Sequence, residues 1–125
     1  MSSKITVEIA DNNELRTVGL MCRSHLNKDS GMLFKFDRSE ILSFWGVNTY
    51  IPLDVAFVSK DFRIASIEEI VPLYPKPVRS KINCQYAIEV NSGFFRNNNI
   101  DVGDYVNIDG TTISFTHNKG LKEEI

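Results

Sequence analysis

The sequence predicts an α+β, β-rich fold: one compact barrel-like or strongly curled, mostly antiparallel sheet, with one packed helix (about 12–22) and a short helical turn (about 92–98). Three observations carry that expectation. Short segments with apolar residues at every second position recur along the chain, as in strands with one buried face. Only one segment, around Leu15, Val18, Met21 and Cys22, repeats its apolar residues at helical spacing. Asp109-Gly110 lies between two alternating runs, 105–108 and 111–115, the strongest short-range hairpin signal in the chain.

In chain order, residues 4–10 alternate and read as a strand. Asp11 with Glu14 three places on has the form of a reciprocal cap, starting the helix. Gly19 inside that helix costs up to ~1 kcal/mol against Ala, so close packing over it is expected. Asn27-Lys28-Asp29-Ser30-Gly31 is a turn cluster, Met32-Leu33-Phe34-Lys35-Phe36 a strand, and Asp37-Arg38-Ser39-Glu40 a polar connection. Residues 42–45 give a short strand, where Gly46 marks a bulge or a close backbone approach. Residues 53–58, apolar except for Asp54, read as a central strand covered on both faces. Lys60-Asp61 turns the chain into a strand over 62–71.

Residues 72–83 hold Pro72, Pro75 and Pro77 with Lys76, Arg79 and Lys81, which predicts a stiff, exposed surface segment. Cys84, Tyr86, Ile88 and Val90 alternate as a further strand. Asn91 or Ser92 caps the short turn through Phe94 and Phe95, and Asp101-Val102-Gly103-Asp104 leads into the hairpin. The whole, 1–125, reads as a single domain with its core in about 4–116 and a flexible polar tail over 117–125.

The totals bound what the chain does. At 125 residues, 42% hydrophobic and 24% charged, it has the size and composition of one ordinary globular domain. A net charge of -2 and a pI near 5.6 argue against a nucleic-acid partner. No apolar run approaches the ~20 residues of a membrane span, and the N-terminus lacks the apolar stretch of a signal peptide, so a cytoplasmic, non-membrane protein is expected. Thiols stay reduced there; Cys22 and Cys84 are expected to be small buried apolar residues, and neither they nor His25 and His117 fall at metal-ligand spacing. No metal and no cofactor is expected.

One stretch organises the reading: Ser43-Phe44-Trp45-Gly46-Val47-Asn48-Thr49-Tyr50-Ile51-Pro52-Leu53-Asp54. So aromatic a segment is expected to fold inward, with Asn48, Thr49 and Asp54 needing hydrogen-bond partners there. This stretch, preceded by Gly19-Leu20-Met21-Cys22-Arg23-Ser24-His25-Leu26 and Ser30-Gly31-Met32-Leu33-Phe34-Lys35-Phe36, resembles the DUF192 family. The later elements of that pattern are found as Ile88-Glu89-Val90-Asn91-Ser92-Gly93 and Ile100-Asp101-Val102-Gly103-Asp104. The resemblance spans about residues 15–106 and implies a small, single-domain, β-rich protein, without implying an activity. The chain departs from the pattern at Gly46-Val47, where the family usually has Met-Lys.

The polar residues that match family positions are Arg23, Asn48, Thr49, Asp54, Glu89 and Asp104. They admit a structural reading, in which Arg23 forks onto Asp54 or Glu89, Asn48 and Thr49 hold an irregular loop, and Asp104 locks its turn. They also admit a small-ligand cleft near residues 45–54, walled by Trp45, Tyr50 and nearby Phe rings and lined by Arg23, Asn48, Thr49, Asp54 and Glu89. The function expected is a non-enzymatic binding or accessory module with a small-molecule ligand or a protein partner. The alternatives are an enzyme acting through Asp54, Glu89 and Arg23, though no nucleophile motif is present, and an assembly protein that self-associates through an aromatic face.

Overall fold

The structure, a computed structural model, describes residues 3–74 and 76–118. Its main element is a seven-stranded sheet in the order β5-β4-β7-β2-β1-β9-β8. The strands are β1 (Ser3–Ala10), β2 (Ser30–Glu40), β4 (Leu53–Val58), β5 (Ile64–Ile70), β7 (Cys84–Asn91), β8 (Tyr105–Asp109) and β9 (Thr112–Thr116). All neighbours are antiparallel except β1 and β2. Parallel neighbours need a crossover, and α1 (Asn13–Val18) lies within it. The sheet curls into a half-barrel until its two edges touch. Arg63 and Tyr105 form a bridge, Ile64 N–H donates to the Asp104 carbonyl (2.9 Å) and Val106 N–H to the Phe62 carbonyl (2.8 Å). The two edges are thereby joined at this corner.

Alternation along the strands sorts side chains into two cores. Ile5, Val7, Leu33, Ala56, Ile88, Val90, Ile113 and Phe115 pack on the inner side with Phe94 and Phe95 of the short helix α2 (Phe94–Asn97). The opposite face carries Met32, Phe34, Leu53, Val55, Phe57 and Ala87, covered by Leu20, Leu26 and Leu42. Over this second face lies a two-stranded ribbon, β3 (Ser43–Phe44) with β6 (Val78–Arg79). The proline-bearing segment is therefore more than the surface loop expected. Ser80 is buried there, its N–H donating to the Leu42 carbonyl and its Oγ accepting from Leu42 N–H, both at 2.9 Å.

Several expectations are corrected. The helix is six residues long, not eleven, because Gly19 (φ 50°) terminates it; a Cβ there would lie 3.2 Å from the Phe34 ring. Its cap is Asn12, whose side-chain oxygen accepts from Leu15 N–H (2.8 Å), rather than Asp11. Leu15 and Val18 are exposed, and the helix is held to the sheet by Arg16, whose Nη1 donates to the Lys35 carbonyl (2.6 Å). Cys22 is exposed, at φ 63°, while Cys84 is buried. β2 continues through the four polar residues expected to connect it onward, and the hairpin loop is Gly110-Thr111, shifted by one residue. The α2 cap is Gly93 (φ 89°), with no side-chain bond from Asn91 or Ser92.

Asp104 does lock its turn: buried, it accepts from Asp101 N–H (2.8 Å) and Asn118 N–H (3.0 Å) and faces His117 Nδ1 at 3.3 Å. Residues 117 and 118 are thus anchored, and the rest of the expected tail lies outside the described residues. Among the described residues, no helix is long and apolar enough to cross a membrane.

Candidate functional site

A cleft of about 460 Å³ opens on the second face of the sheet, between α1, the chain leading from it, and the stretch around Trp45. Its position follows from strand register. Glu89 on β7 pairs with Met32 on β2 and Val55 on β4, and directly opposed residues share a face, so Glu89 projects into the layer of Phe34, Phe57 and Ala87. Gly31 lets the strands close there, since a Cβ on it would come within 2.5 Å of the Glu89 carbonyl oxygen.

The wall is aromatic. Phe34, Phe36, Phe44 and Trp45 line the cleft. Phe44 stands nearly perpendicular to both neighbours, at 82° and 4.7 Å from Phe34 and at 86° and 6.4 Å from Phe36. Edge-to-face contacts of this kind add to the burial of the rings themselves. Asn13, Arg16, Thr17 and Ser43 supply polar groups to the lining, and Thr49 and Glu89 are its two buried polar members. Trp45 also borders a second hollow of about 320 Å³ with Val71, Tyr74 and Pro77.

Glu89 is the unusual group. It is 5% exposed, and no donor among the described residues hydrogen-bonds its carboxyl. Burial alone pushes its pKa from 4.5 to about 8, with no neighbouring cation to offset it. Arg16 lines the same cleft but is held on the wall: it donates to the Lys35 carbonyl and to Asn13 Oδ1 (2.9 Å) and lies over the Phe36 ring at 5.2 Å.

Of the residues singled out from sequence, Trp45, Thr49 and Glu89 line the cleft, and Arg23, Asn48 and Asp54 do not. Arg23 pairs with Glu8 through two bonds of 2.5 and 2.8 Å on the surface, not with Asp54 or Glu89. Asp54 pairs in register with Val90, so it lies on the face opposite Glu89, and its Oδ2 accepts from Gly93 N–H (2.8 Å). The two carboxylates therefore cannot act as a pair. Asn48, exposed at φ 56°, serves through its carbonyl, which accepts from Cys22 N–H (2.7 Å). Trp45 and Tyr50 are about half exposed (51% and 52%), so the central stretch folds inward in part, through Phe44, Gly46, Thr49, Ile51 and Leu53. Sequence patterning does not single out Arg16, Phe34 and Phe36 as site residues. A signal for the two rings exists in their alternate positions on one strand face; that for Arg16 is masked by the apolar spacing of Leu15 and Val18.

Asp54→Ala and Arg23→Ala are expected to separate in a thermal melt. The first loses the bond to Gly93 and about 1–2 kcal/mol. The second removes an exposed ion pair and loses less than ~1 kcal/mol. Equal, large losses would contradict this placement.

Comparisons with known proteins accord with this architecture. The DUF192 family model ("Uncharacterized ACR") matches residues 1–108. A crystal structure of a candidate transcription regulator from Sinorhizobium meliloti is 31% identical, covering 84% of this chain and 92% of its own, with a TM-score of 0.77. A protein of unknown function from Novosphingobium aromaticivorans is 32% identical, covering 82% of this chain and 74% of its own, with a TM-score of 0.79. No curated protein matches the chain.

Proposed function

The chain belongs to the DUF192 family, and from that premise and its own geometry we propose that it is a non-enzymatic binding module whose cleft takes a small molecule with an apolar body. The observation that carries this reading is Glu89, a carboxyl without a protein partner at the base of an aromatic cleft. Its oxygens are not among the fully enclosed atoms that lack a partner, so the carboxyl opens to the cleft, where a polar group fixes the orientation of what binds. The cleft volume, about 460 Å³, falls within the range of roughly 300–1,000 Å³ common for small-molecule sites. The separation of Asp54 and Glu89 onto opposite faces favours binding over two-carboxylate catalysis. The net charge of -2 favours a small molecule over nucleic acid.

Trp45 is the sole tryptophan and lines the cleft, so its emission reports occupancy. In a screen of small molecules against the full chain, ligands are expected to raise the melting temperature and shift Trp45 emission together, since binding to the native state alone stabilises it. Phe44→Ala should weaken both responses. A broad library that moves neither signal would sink the reading.

A further inference from the structure

Glu89 and the rings around it constrain the chemistry of what binds. We infer that the ligand carries an organic cation, a protonated or quaternary amine, seated against Glu89 and the perpendicular ring walls of Phe34, Phe36 and Phe44; this rests on the binding reading above. Three observations on different groups converge on it.

The first is the missing partner. The carboxyl opens to the cleft, its ionised form is stabilised when a positive group sits beside it, and no protein cation does so at Glu89 among the described residues. The residues registered beside it, Met32 and Val55, are apolar, and Thr49 on the covering loop is neutral. Arg16 on α1 is the only other charged residue lining the cleft among the described residues, and its guanidinium donates elsewhere. The second observation is the ring geometry. Phe44 meets Phe34 and Phe36 at 82° and 86°. An aromatic face carries the negative end of the ring quadrupole, and four rings line this cleft. The third is that one of these rings already holds a cation: the Arg16 guanidinium rests 5.2 Å over Phe36. The wall is therefore compatible with positive charge, whereas a carboxylate ligand would meet both the ring faces and Glu89 unfavourably.

A neutral polar ligand differs from a cation in how it depends on the proton of Glu89. A cation needs the ionised carboxyl, so its affinity rises with pH until Glu89 has released its proton near the value of about 8, then levels. A hydroxyl ligand that accepts from the protonated acid weakens across the same interval. The side chains registered beside Glu89 are Met32 and Val55, and Thr49 and Arg16 line the same cleft.

The test uses three probes with the same phenylalkyl body: phenethylamine, phenylethanol and phenylpropionate. Each is titrated into the full chain while Trp45 emission and amide NMR shifts are followed, from about pH 6.5 to 8.5, in the wild type and in E89Q. Expected are binding of the amine at least about tenfold tighter than the alcohol, a tightening approaching tenfold per pH unit below the Glu89 value, and the weakest binding by the carboxylate. E89Q is expected to lose about tenfold or more for the amine and to leave the alcohol unchanged. If the alcohol or the carboxylate binds as tightly as the amine, or E89Q binds the amine as the wild type does, the cation assignment falls and the cleft reading stands. The cation assignment falls likewise if none of the probes binds while the wider screen finds cleft ligands. Failure of the probes and of the screen together overturns both.

Discussion

Glu89→Gln is expected to make the protein more stable, and most so above neutrality. The carboxyl has an ordinary value of 4.5 and a folded-state value of about 8. Below the lower value both folded and unfolded chains hold the proton, and ionisation costs nothing. Between the two, the unfolded chain has released a proton that folding must take back, so stability declines by about 1.4 kcal/mol per pH unit. Above the upper value the decline ends, with a total on the order of 5 kcal/mol. Glutamine keeps the shape and cannot ionise. Thermal melts near pH 5 should nearly coincide for the two proteins, while near pH 8.5 the variant should melt higher by roughly 20 °C. Parallel pH profiles would show that Glu89 is solvated or paired, and would remove the support for a ligand-facing acid. A residue whose loss strengthens the fold is retained for something other than the fold, since stabilising substitutions at functional positions commonly cost activity. Ligand binding and stability should therefore respond to this substitution in opposite directions.

How far the site is legible in the sequence depends on which interactions are local. Strand positions such as Ile88 and Val90 follow from alternation within a few residues, and the curled β-rich sheet follows from counting such runs. Glu89 is visible as a candidate, but its face is not, because that requires the pairing of Val55 with Glu89 and of Asp54 with Val90 across a long loop. The same holds for Arg23, which finds Glu8 on β1 from the chain beyond α1, a contact that no local pattern announces. The helix reads as too long because Leu15, Val18, Met21 and Cys22 have helical spacing, yet Gly19 reverses the backbone before the last two. β3 falls within the short strand read over 42–45, but its partner β6 escapes a reading of sequence because a two-residue strand carries no period and prolines around Val78 argue for a loop.

Gly46→Ala is expected to be the most damaging single-methyl change near the cleft. A Cβ on Gly46 would overlap the Val71 carbonyl oxygen and lie 3.0 Å from its carbon. The obstacle is backbone, so no rotamer change relieves it, and the loss should reach about 3 kcal/mol or more. The contact holds the layer that shapes the cleft. The Gly46 carbonyl accepts from Thr49 N–H (3.0 Å) and from Leu73 N–H (2.8 Å), and Leu73 N–H also reaches the Thr49 carbonyl at 3.2 Å. Thr49 is a buried lining residue, so displacing this junction should weaken ligand binding as well as the fold. A methionine at this place, as in the pattern the chain resembles, would require the chain at Val71 to run farther out, changing the hollow that Trp45 borders. Val47→Lys, which restores the usual family residue at a half-buried neighbour, is the control and should cost less than ~1 kcal/mol. If Gly46→Ala melts with the wild type and binds cleft ligands equally, the 71–74 segment yields freely and does not shape the cleft.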